Sequence, residues 1–97
     1  MEPKGYPDEY QQALAHEVEA TKSKWIRFDV HSFTGKTWHF DIHTTDMQHF
    51  LGEIKWFSRW RRYAFFPMPE TVFEHECLKS IAEVCETLTK KHKLRKG

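Results

Sequence analysis

Glycine is scarce in this chain, four in 97 residues. None follows a predicted strand in a G-x-G-x-x-G or Walker-type run, so a backbone cradle for phosphate is nearly excluded. No G-x-S-x-G nucleophile elbow occurs. His16-Glu17 and His75-Glu76 each begin like a zinc-protease helix, but Ala20 and Lys79 stand where the second histidine belongs. His75-x-Cys77 has no C-x-x-C to complete a deaminase-type zinc site. The expectation is a protein that is not an enzyme and carries no cofactor. Cysteine is fewer still: Cys77 and Cys85 are eight residues apart on one predicted helix, about 12 Å along its axis. A disulfide needs Cα atoms within about 7 Å. The pair therefore reads as two small buried hydrophobes, in keeping with a reducing compartment. No run of about 18 apolar residues occurs, and Met1–Gly5 lacks the basic-then-apolar profile of a secretory signal. These absences point to a cytoplasmic protein with no membrane partner.

What the chain does have is aromatic and charged side chains. Hydrophobic residues make up 39%, aromatics 15% and charged residues 30%, enough apolar surface to offset chain entropy. A chain of this length forms one small domain, here expected to span residues 1–97. The net charge of +1 conceals a segmented distribution, with acidic stretches at 1–20 and 67–89, a basic centre and a basic tail. Generic coating of nucleic acid scales with the number of phosphates neutralised and fits such alternation poorly, while a local basic contact fits it well.

Acidic residues after Pro7, followed by Tyr10, Leu14 and Val18 every four residues, predict a helix over about 8–22 whose thin apolar stripe suits the edge of the domain. Residues 25–31 and 37–43 alternate with period two and predict strands. If cross-strand partners sum to 70, Phe28 meets Ile42, Val30 meets Phe40 and Ser32 meets Trp38, leaving one clean apolar face; a slip of one residue would invert every side chain. That register asks for an odd-length loop centred on Gly35. A third strand at 50–57 places Phe50, Ile54 and Trp56 on one side. A fourth, at about 61–66 after a turn at Ser58-Arg59-Trp60, is apolar on both faces, which implies cover on both sides or an exposed aromatic patch. Thr71-x-x-Glu74 has capping-box spacing, and Cys77, Leu78, Ile81, Val84, Cys85 and Leu88 extend a helical stripe over about 72–92. The predicted fold is α+β: a four-stranded antiparallel meander over about 25–66 packed against a long C-terminal helix, with an additional N-terminal helix, in the order α-β-β-β-β-α.

Three groups of residues could carry function. Trp56, Arg59, Trp60, Arg61, Arg62 and Tyr63 combine the residue types enriched in binding hot spots. Their rings are either core decorated by cations, a contact surface for a protein, or a stacking platform for single-stranded nucleic acid. Lys90, Lys91, Lys93, Arg95 and Lys96 form a basic tail that is either a solvated helix end or a nucleic-acid contact. His31 and His39, with Asp29 and Asp41, come together on the outer face of the first hairpin, where they could bind a metal or respond to pH; a hydrated polar face is the simpler account, and no metal site is assigned. Arg61–Phe66 approximates the RNA-recognition octamer, but Arg62 replaces its glycine and the strand order differs. The α-β-β-β-α outline also approximates a double-stranded-RNA-binding domain, yet the second helix opens with acidic residues where such domains carry lysines. The doubly apolar fourth strand is also suited to a homodimer surface.

At L-G-x-I-x-W (Leu51–Trp56), W-R-x-Y-x-F-F-P (Trp60–Pro67), T-V-F (Thr71–Phe73) and C-L-x-x-I (Cys77–Ile81), the chain resembles a family of small uncharacterised proteins of bacteriophages and mobile elements. The resemblance covers about residues 37–92 and leaves the N-terminal helix outside. It implies a stoichiometric binding protein, an inhibitor or adaptor of a host or defence component.

Overall fold

The computed structural model describes residues 7–96, with the side chains of Arg95 and Lys96 outside that description. Six elements follow the predicted order: α1 (Glu9–Glu19), β1 (Ile26–Phe33), β2 (Trp38–Thr44), β3 (Phe50–Phe57), β4 (Arg62–Pro67) and α2 (His75–Lys96). The strands form one antiparallel sheet in sequence order, the α+β meander the alternation predicts. Helix α1 packs against β1 and α2 against β4, and both contribute to a single core on one face of the sheet. Phe28, Phe40, Ile42, Ile54 and Leu88 are its fully buried side chains. Among the described residues, no helix is long and apolar enough to cross a membrane.

Asp8 caps α1 by accepting the Gln11 N–H at 2.9 Å, which satisfies one of the orphan donors of the first turn. The buried stripe of this helix is Leu14, Ala15 and Val18. Tyr10 is exposed, so the helix lies over the edge strand as its thin stripe suggested, while its three inward residues still enter the common core. Helix α2 starts three residues later than the capping-box spacing indicates. The Thr71 hydroxyl donates to the Met68 carbonyl at 2.8 Å, and Glu74 is the cap, accepting the Cys77 N–H at 2.7 Å. That hydrogen bond holds the Glu74 carboxyl below its usual range.

The β1–β2 register follows the sum of 70 from Ile26↔Thr44 to Val30↔Phe40, then breaks at a bulge on His31. Ser32 consequently faces His39, and Phe33 faces Trp38, in place of the expected His31 and Ser32. The turn decides this. Four residues, Thr34 to Thr37, close the hairpin through Thr34 N–H to the Thr37 carbonyl at 2.9 Å, with Gly35 at φ 105°. An even loop requires one extra residue in a strand, and the bulge supplies it. The shift also lays Phe33 against Trp38, ring centroids 4.7 Å apart, where a serine would have met the indole. A second break falls between Ile42↔Gly52 and His43↔Phe50. Leu51 is the extra residue there, so Phe50 turns to the His43 ring at 5.3 Å, away from Ile54 and Trp56.

Both sheet edges are interrupted by side chains from the helices. Glu19 accepts the Val30 N–H of β1 at 2.9 Å. Thr89 accepts the Tyr63 N–H of β4 at 2.9 Å. Unpaired edge amides are templates for another strand, and these contacts cover one on each side.

Candidate functional site

The β3–β4 hairpin closes through Phe57↔Arg62. Its four-residue loop is tied by the Trp60 and Arg61 N–H groups, which donate to the Phe57 carbonyl at 3.2 and 2.9 Å. Arg61 sits at φ 54°, a left-handed conformation in which a side chain costs about 1 kcal/mol or more relative to glycine. Alternation along the strands then separates the aromatic segment into two sets. Tyr63 and Trp56 turn toward the helices, while Phe57 and Phe66 turn to the uncovered face.

Trp60 is 63% exposed, its indole edge-on to Phe57 at 4.7 Å. Phe57 in turn meets Phe66 at 5.9 Å, and the Lys55 ammonium lies 4.8 Å over the Phe66 ring. An aromatic ledge therefore runs from the hairpin tip onto the open side of the sheet. Arg59, Arg61 and Arg62 are all exposed beside it. Among the described residues, none of the three forms an ion pair. Phe57 and Phe66 belong to this surface although sequence reasoning did not single them out; the signal that identifies them is parity, opposite to Trp56 for Phe57 on β3 and opposite to Tyr63 for Phe66 on β4.

Tyr63 is 4% exposed and belongs to the core. Its hydroxyl accepts the Trp38 backbone N–H at 2.9 Å, and Trp56 packs edge-on to its ring at 5.5 Å and against His92 at 4.5 Å. Neither ring is part of the exposed ledge. Burial pushes the Tyr63 phenol up to about 12 from its ordinary value near 10. A folded-state value above the unfolded one means that the contribution is complete below about pH 10 and is lost as pH rises toward 12. The loss from this residue is about 3 kcal/mol. Urea denaturation midpoints measured from about pH 8 upward should show it, with the Tyr63 component missing in Tyr63→Phe. Cys85, whose thiol burial pushes up to about 11, adds a loss of the same sign that begins nearer pH 9.

The basic tail continues α2 as a helix to Lys96. Lys90 and Lys93 are exposed and, with Arg62, Cys85, Glu86 and Thr89, line a groove of about 570 Å³ between β4 and α2. Lys91 is half-buried, and its carbonyl accepts a long 3.4 Å bond from the Tyr10 hydroxyl. The contacts expected of Arg95 and Lys96 lie outside the described side chains. The Cys85 thiol at the groove stays protonated near neutral pH, which denies it nucleophilic character.

On the uncovered face, the expected histidine and carboxylate quartet loses one member and gains another. Asp29 is taken by Arg27, which donates to both of its oxygens at 3.0 and 2.9 Å. His31, His39 and Asp41 stay together, each offering a donor atom within 4.8 Å of the others. Glu53 adjoins His39 from β3, where it faces Asp41, with Oε2 3.4 Å from His39 Nε2. The Glu53 contribution depends on the β2–β3 register, which the bulge at Leu51 sets and periodicity alone does not reveal. Burial works against the Glu53 carboxylate, yet Lys55 at 3.3 Å and the neighbouring His39 outweigh it and hold the group below its usual range. No protein-family model, no curated protein and no solved structure matches the chain.

Proposed function

We propose that this chain is a non-enzymatic, cytoplasmic binding protein that grips an acidic patch on a partner protein with the tip of its β3–β4 hairpin. In this reading it belongs with the small phage and mobile-element proteins whose motifs it shares, and acts as an inhibitor or adaptor of a host or defence component. The observation that carries the reading is an exposed indole held on a ring support and flanked by three arginines that form no ion pair among the described residues. Cations left unpaired beside an aromatic anchor match what protein hot spots use, because a planar guanidinium stacks on a ring and pairs with a carboxylate at once. Arg61 in a left-handed conformation adds to this, since glycine would relieve the backbone and remove the charge.

A nucleic-acid partner is favoured by one different observation: Arg62, Lys90 and Lys93 converge on the groove beside the same hairpin. Affinity capture from a host lysate, with and without nuclease, separates the two readings. Wild type should recover one protein after nuclease treatment, and Arg59→Ala/Arg61→Ala/Arg62→Ala should lose at least about thirtyfold in affinity, roughly 2 kcal/mol, with an unchanged circular dichroism spectrum. Equal capture by a folded triple variant rules out the hairpin tip. Recovery that disappears with nuclease and falls steeply with salt assigns the arginines to nucleic acid.

A further inference from the structure

The uncovered face of the sheet carries a row of three carboxylates on adjacent strands, Asp29, Asp41 and Glu53, each directly opposite the next. Like charges in such cross-strand positions repel one another. The outer two have cationic partners, Arg27 for Asp29 and Lys55 for Glu53. Asp41, at the centre, has only imidazoles: His31 Nδ1 at 3.1 Å and His39 Nε2 at 4.0 Å. Asp41 Oδ1 and His39 Nε2 are also sealed from solvent without a hydrogen-bond partner. Native structures rarely leave buried polar atoms so, and an absent ion is one physical reason for it.

We propose that His31, His39 and Asp41 bind a divalent transition-metal ion of the zinc type, with Glu53 swinging in from β3 as the fourth donor. Two imidazoles and two carboxylates are the donor set such borderline ions take. Metal–donor bonds of about 2.1 Å in a tetrahedron separate donors by about 3.4 Å. His31 Nδ1 to Asp41 Oδ2 is 3.1 Å and His39 Nε2 to Glu53 Oε2 is 3.4 Å. Closing the tetrahedron requires Asp41 to turn one oxygen toward both imidazoles, its Oδ1 now lying 4.0 Å from His39 Nε2, and the Glu53 carboxylate to swing toward Asp41. The bulge at His31 is part of the device, because an unpaired residue in a strand is free to aim its side chain at a neighbour. The His31 ring is stacked on His39 at 4.3 Å, so both imidazoles are already oriented. Lys55 must leave Glu53 on binding; its ammonium is half exposed and already shared with the Phe66 ring. Arg27 keeps Asp29 out of the set.

Calorimetric titration of the chelator-treated full chain with zinc chloride tests the site. Wild type should bind one ion, and its melting temperature should rise by about 5 °C or more at zinc a hundredfold above Kd. His31→Gln/His39→Gln, both on the solvent side of the sheet, should bind at least about tenfold more weakly. His16→Gln/His49→Gln should match wild type. Proton spectra of the wild-type imidazoles give a readout independent of any variant, with His31 and His39 resonances moving on zinc addition and those of His16 and His49 fixed. Absence of zinc binding by wild type overturns the proposal, and so do undiminished binding by His31→Gln/His39→Gln and imidazole shifts confined to the other histidines.

Discussion

Gly52→Ala is expected to lower the unfolding free energy by about 3 kcal/mol, the combined effect of overpacking and a strained backbone. Gly52 lies at φ 156°, opposite Pro67 in the β3–β4 ladder. A methyl group there would stand 2.6 Å from the Phe66 carbonyl oxygen, 2.8 Å from the Phe65 ring and 3.0 Å from the Pro67 Cα. Two of those three atoms are backbone of the partner strand and can yield only if the strands separate. A domain this size has a total margin of about 5–10 kcal/mol, so the urea midpoint should fall by a third or more. A midpoint within experimental error of wild type would mean that β4 can retreat, and that the hairpin carrying Trp60 is looser than its register implies.

Phe40→Ala should have the largest effect of any single truncation, about 4 kcal/mol, near the middle of the range for buried phenylalanine. Phe40 is fully buried, paired with Val30 on one side and Ile54 on the other, with the Trp38 ring 6.0 Å away. Neighbours drawn from three strands cannot all move into the space a benzyl group leaves, and the cavity term is correspondingly large. Thermal unfolding followed by circular dichroism should show a melting temperature lowered by about 15 °C or more. Retention of wild-type stability would show that the helices, and not the sheet centre, hold the fold.

Much of this architecture is legible in the chain. The period-two segments, the register that pairs Phe28 with Ile42, and the stripe from Cys77 to Leu88 all depend on burial of one face, a signal that sequence carries directly. What escapes is whatever depends on a single extra residue. The bulge at His31 arises because Thr34 and Thr37 close a four-residue turn, and the bulge at Leu51 turns Phe50 to the opposite face. Neither leaves a periodic trace. Capping is ambiguous for a similar reason: Thr71 and Glu74 are both competent, and the turn following Pro67 claims the threonine. The same limits govern the candidate sites. The exposed arginines are visible as a run, whereas the parity of β4 withdraws Tyr63 into the core and presents Phe66 instead. Glu53 becomes a neighbour of His39 only once the second bulge is known.

The two carboxylate and hydroxyl contacts at the margins of the sheet restrict how any partner can be recognised. With Glu19 on Val30 and Thr89 on Tyr63, and with Pro67 lacking an N–H to offer, an extended peptide finds poor footing for joining the sheet as a fifth strand. Under the proposed function, recognition then falls chiefly to side chains. Main-chain pairing is largely indifferent to sequence, whereas an interface of indole and guanidinium groups, as proposed for the hairpin tip, would be retuned one residue at a time without disturbing the fold.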